Sequence, residues 1–161
     1  MKIFLLLILI LCPSFSFAQT TKTVTINDNK LYRESLKAVY ETNETGKTDL
    51  FILFMAQDSR YQQLTEFIAI FTGTPLRFYS FVTEIENFYE ENINQVDKDS
   101  GISKVIQGQT VSLLKVMGMG GVNIYEHSDS GNGHRTMTIK NLKKTKQDFE
   151  KWASKNNVSY N

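Results

Sequence analysis

Apolar residues recur at three- and four-residue intervals through Thr74–Asn92, with Phe78, Phe81, Val82, Ile85, Phe88 and Tyr89 on one stripe and Glu84, Glu86, Glu90 and Glu91 off it. This spacing predicts a helix. Thr74 is placed to cap its first turn, and Pro75 follows where a missing N–H costs nothing. Burying six such side chains contributes on the order of 10 kcal/mol before the entropy of ordering them is subtracted. The helix is therefore expected to be a core element, with its glutamates on a solvated surface.

The segments before it follow a shorter period. TKTVTIN alternates as a strand does, and Leu50–Met55 is a continuous apolar run, expected as a strand covered on both faces. Residues 31–42 fit two periods: Tyr32, Leu36, Val39 and Tyr40 make a helical stripe, whereas Tyr32, Leu36, Ala38 and Tyr40 make one face of a strand. The turn-rich NETGKT that leads on to TDLFILFMA favours a strand hairpin. Residues 61–72 are similarly divided, because Tyr61, Leu64, Phe67, Ile68 and Phe71 have helical spacing and Ser59 with Gln62 fits a capping box. The β-forming run that stops at Gly73, just before a capped helix, favours a strand paired with Leu50–Met55.

Beyond the central helix, Ser103–Gln107 and Thr110–Met117 read as strands, and residues 122–139 read as a hairpin. With His127 opposite His134, Ile124 faces Met137 and Val122 faces Ile139. Val122, Ile124, Met137 and Ile139 then form an apolar side, and Asn123, Tyr125, His127, His134, Thr136 and Thr138 a polar one. A second helix is expected at about 143–156, burying Phe149, Trp152 and Ala153. It is basic where the first is acidic, so the two are expected near each other. No internal repeat is visible. The order of elements predicts an α+β fold, an antiparallel sheet with two helices packed on one face.

The chain start changes the picture of where this domain works. Lys2, the apolar run Ile3–Leu11, and Ser16 and Ala18 form a secretory signal pattern, with cleavage expected between Ala18 and Gln19. Residues 1–18 are then a cleaved signal peptide and residues 19–161 a single α+β domain, periplasmic or secreted, with no membrane span in the mature chain. Cys12 raises the alternative of a lipidated signal, but Leu11 stands where a small residue is needed and Pro13 follows. Cleavage removes the sole cysteine and one lysine, leaving seventeen basic and seventeen acidic residues. Thiol chemistry and disulfides are excluded for that product, and no nucleic-acid partner is expected of a neutral domain.

Candidate chemistry concentrates at the hairpin. His127 and His134 bracket Asp129, a trio suited to a metal ion and metal-assisted hydrolysis if the imidazoles meet across the strands. Other motifs fail on spacing. DKDSG from Asp97 has Ile102 where a calcium loop needs a turn glycine and Gly108 where it needs a glutamate. Met117–Gly121 is glycine-rich but leads to a strand, so it reads as a turn or bulge and not a phosphate loop. Glu86 and Glu90 are one turn apart on a solvated face, and no nucleophile elbow or HExxH occurs.

QDSRYQQLTEF and QTVSLLKVMGMGGVNIYE, with the helix between them, resemble small exported bacterial proteins of uncharacterised function. That resemblance covers most of the mature chain and implies no activity, cofactor or catalytic residue. The expectation is a non-enzymatic binding or interaction module with no cofactor and no metal, meeting a protein or glycan through Asn123, Tyr125, His127, Asp129, His134 and Thr136. The alternatives are a metal-assisted hydrolase built on His127, His134 and Asp129, or an inhibitor or immunity-type protein.

Overall fold

The computed structural model describes residues 19–31, 33–59, 67–97, 101–116, 119–125 and 133–160. Within them the chain forms β1 (Thr20–Asn29), β2 (Glu34–Thr42), β3 (Thr48–Gln57), β4 (Phe67–Gly73), α1 (Pro75–Asn92), β5 (Ile102–Ile106), β6 (Gln109–Val116), β7 (Met119–Tyr125), β8 (His134–Thr138) and α2 (Ile139–Lys155). Of residues 31–42, the part from Glu34 on adopts the strand reading, with Leu36 and Ala38 buried on one face and Tyr40 packed beside them, and Tyr32 lies outside the described residues. Of residues 61–72, the part from Phe67 on is strand as expected, and 61–66 lie outside the described residues.

The α+β expectation holds, with every strand pair antiparallel and the strands divided between two four-stranded sheets, β1-β2-β3-β4 and β5-β6-β7-β8. A four-strand, one-helix unit thus occurs twice. Both helices begin alike: Thr74 accepts a bond from the Arg77 N–H at 3.4 Å, and Thr138 accepts one from the Asn141 N–H at 3.2 Å. At equal offsets from these caps, Phe78 and Leu142, Phe81 and Thr145, and Ile85 and Phe149 are buried. The repetition is of architecture and not of side chains, which is why the sequence shows none.

One apolar cluster joins both sheets and both helices. Phe78 is at its centre, its ring centroid 4.9 Å from Phe149, 5.5 Å from Phe71 and 6.3 Å from Phe54, in edge-on arrangements that aromatic quadrupoles favour. α1 packs on β3 and β4 and reaches β5 and β6, while α2 packs on β7 and β8 and reaches β1. A bulge between Thr25 and Asn27 turns Asn27 toward α2, where it donates to Asp148 at 2.6 Å. The second helix starts earlier than the charge pattern predicts. Ile139 opens it instead of closing the strand, because Thr138 caps there, and Leu142, Thr145, Phe149 and Ala153 are buried with Trp152 half-buried.

Three expectations are corrected. β3 is not covered on both faces: Ile52, Phe54 and Ala56 are buried, but Phe51, Leu53 and Met55 on the other face are only half-buried. The α1 glutamates are not uniformly solvated. Glu86 pairs with Lys146 at 2.8 Å, both side chains 14% exposed, with the ammonium 4.8 Å from the Tyr79 ring centre, whereas Glu90 meets Lys143 at 2.8 Å in the open. The acidic and basic helices do lie together, joined by these pairs. Finally, the β7–β8 register is two residues from the expected one: Tyr125 faces His134, Asn123 faces Thr136 and Val122 faces Met137. A slip of two leaves every side chain on its predicted face, so the apolar matching did not exclude it.

Candidate functional site

Strand alternation on β7 and β8 sends Val122, Ile124 and Met137 into the core and leaves Asn123, Tyr125, His134 and Thr136 half-buried on the outward side. These four of the six expected site residues come together as two adjacent cross-strand pairs. The Thr136 hydroxyl donates to the Asn123 side-chain oxygen at 2.5 Å. The Tyr125 and His134 rings tilt at 38° with centroids 5.5 Å apart. His127 and Asp129 lie outside the described residues, and the residue facing His134 in the ladder is Tyr125.

The strip is fixed to the first sheet at its open edge. Ser59, just past β3, donates its N–H to the His134 carbonyl and accepts from the Thr136 N–H through its hydroxyl, each at 2.9 Å. These bonds occupy backbone groups that an edge strand otherwise presents to solvent. A 3.0 Å ion pair beneath, from the Arg135 guanidinium to the Glu34 carboxylate, again ties β8 to β2. Burial raises the Glu34 pKa above its usual value, and the Arg135 hydrogen bond and charge partly offset this.

At the α2 end the strip runs into a cavity of about 250 Å³ whose lining includes Met119, Gly121, Thr136, Thr138 and Asn141. Gly121 stands opposite Thr138 in the ladder, and a Cβ there would lie 3.1 Å from the Met137 carbonyl oxygen, too close without a shift. At Gly120 a Cβ would overlap the Tyr89 hydroxyl, so close packing accounts for both glycines. Met119 is 62% exposed beside this hollow. Sequence reasoning missed Met119, Thr138 and Asn141 as lining residues, because the two-residue slip and the early start of α2 hid their meeting.

The strip offers an imidazole, a phenol, an amide and a hydroxyl on one fixed plane beside an apolar hollow. Such groups suit hydrogen bonding and ring stacking with a partner. Among the described residues no group of three or more His, Cys, Asp or Glu is placed to hold a metal ion, and no helix is long and apolar enough to cross a membrane. No protein-family model matches the chain, and no curated protein or solved structure matches it.

Proposed function

We propose that the protein is a non-enzymatic binding or interaction module that meets a protein or glycan through the outward face of β7 and β8. The observation that carries this reading is that Asn123, Tyr125, His134 and Thr136 share one outward face of a paired hairpin while their strand neighbours Val122, Ile124 and Met137 are buried in the core. Aromatic rings and short polar groups held rigidly cost little entropy on association, which suits them to recognition. The signal pattern of residues 1–18 supports an encounter in the periplasm or outside the cell.

The test is a titration of isotopically labelled protein, followed by amide chemical shifts, with soluble oligosaccharides and with proteins purified from the extracytoplasmic fraction of the source. Shifts centred on β7 and β8 are expected, and a Tyr125→Ala, His134→Ala double variant should bind roughly 5- to 30-fold more weakly, as truncation of ring contacts in an interface centre does. Shifts confined to other surfaces, or unchanged affinity in a folded double variant, refute the proposal.

A further inference from the structure

We propose a second site, separate from the β7–β8 strip: the cavity between the β1–β2 turn and the start of β4 binds a zwitterionic α-amino acid with an apolar side chain. This cavity, of about 250 Å³, is lined by Asp28, Lys30, Arg33, Gln57 and Phe67. Its size is below the roughly 300–1,000 Å³ typical of drug-sized ligands, so its occupant is small.

Three separate stretches of chain build it, and they are held together. Arg33 has a φ of 51°, in the left-handed region that non-glycine residues seldom occupy. It is kept there from both ends: its carbonyl accepts from the Gln57 N–H at 3.0 Å, and its guanidinium donates to the Gln57 side-chain oxygen at 2.9 Å. Gln57 is 6% exposed and faces Phe67 across the β3–β4 ladder. The guanidinium is thus carried by a turn residue whose left-handed backbone is clamped by a buried amide at the rim of the cavity.

The charges define the ligand. Asp28, Lys30 and Arg33 all line the cavity, and none of them forms an ion pair with another described residue. One guanidinium nitrogen is engaged by Gln57, and the remaining N–H donors suit a carboxylate. Phe67 is 44% exposed and supplies an apolar wall. A ligand carboxylate facing Lys30 and Arg33, an ammonium facing Asp28 and a hydrocarbon side chain on Phe67 satisfies all of these groups together. A simple anion leaves Asp28 repelling it, and a simple cation leaves two like charges beside it.

Calorimetric titration of the folded protein with L-phenylalanine and L-leucine, with N-acetyl-L-phenylalanine, which lacks the ammonium, and with L-phenylalaninamide, which lacks the carboxylate, tests the site. At least one of the two amino acids should bind, with the acetyl and amide forms about tenfold or more weaker. Asp28→Asn should erase the discrimination against the acetyl form, Lys30→Gln should reduce that against the amide, and Phe67→Ala should weaken all ligands. These positions are exposed, and unchanged thermal unfolding will establish that the variants remain folded. Absence of binding by both amino acids at millimolar concentration, equal affinity for the acetyl form, or unaltered discrimination in folded Asp28→Asn overturns the proposal.

Discussion

Glu34 and Arg135 are 101 positions apart in the chain, yet their 3.0 Å contact puts a buried carboxylate against a guanidinium where the two sheets meet. The Glu34 side chain is 4% exposed, and among the described residues Arg135 is the cation that compensates its charge. Because its folded pKa is raised, Glu34 contributes stability that is fully present below the unfolded glutamate value near 4.5 and is lost as pH rises through the higher folded value. Replacing Arg135 with Met should deepen that loss. Urea unfolding is expected to show a cost of about 3–5 kcal/mol at pH 7.5, where the carboxylate is left charged and unpaired, and a much smaller cost at pH 4, where it is protonated. Equal losses at both pH values would refute this account of the pair. The sequence carried no sign of this contact. Alternation identified which residues of β7 and β8 turn outward, since Val122, Ile124 and Met137 mark the core side, but Arg135 is paired with a residue on the other sheet that no local pattern can name.

At the scale of elements, α1 was legible because its signals agree: a capping threonine, a proline at the first turn and an unbroken aromatic stripe. α2 was legible only in its basic part. Thr136, Thr138 and Ile139 are β-branched, and Ile139 suits a strand as well as a helix, so local propensity alone left the boundary open. The pairing of the helices followed from their charges, but the depth of each pair did not. Glu86 and Lys146 are mostly covered and flanked by Tyr79, whereas Lys143 and Glu90 are open to solvent, where salt screens charge. The interaction of Glu90 lowers its pKa, chiefly through the hydrogen bond from Lys143. A double-mutant cycle on Glu86→Ala and Lys146→Ala should give a coupling of about 1 kcal/mol that survives 0.5 M salt, roughly the value of a partly desolvated pair. The same cycle on Glu90 and Lys143 should yield a smaller coupling that salt removes. Identical salt sensitivity of the two couplings would show that burial does not distinguish them.

Across the whole molecule, the repeated four-strand, one-helix unit gives equivalent places in its two halves. The final hairpin of the first unit opens with Gln57 facing Phe67, and that of the second opens with Tyr125 facing His134. Phe67, Tyr125 and His134 reach the surface while Gln57 is buried beside Phe67, and each pair lies at a surface proposed for binding. The halves are nonetheless interdependent. α1 reaches across to β5 and β6, α2 reaches back to β1, and the contacts of Phe78 with Phe149, Glu34 with Arg135 and Ser59 with His134 all join one half to the other. The Gln109 side chain likewise donates to the Ile70 carbonyl at the β4 bulge, a link inside the core. A half separated from its partner would expose apolar surface from its helix and from one face of its sheet, leaving too little burial to offset chain entropy. Residues 19–97 and 98–161 produced as separate fragments should therefore show no cooperative thermal transition, and mixing them should restore one, with native amide shifts returning in both. Cooperative unfolding of either fragment alone would mean that the repeated units are independent domains and that the shared core is dispensable.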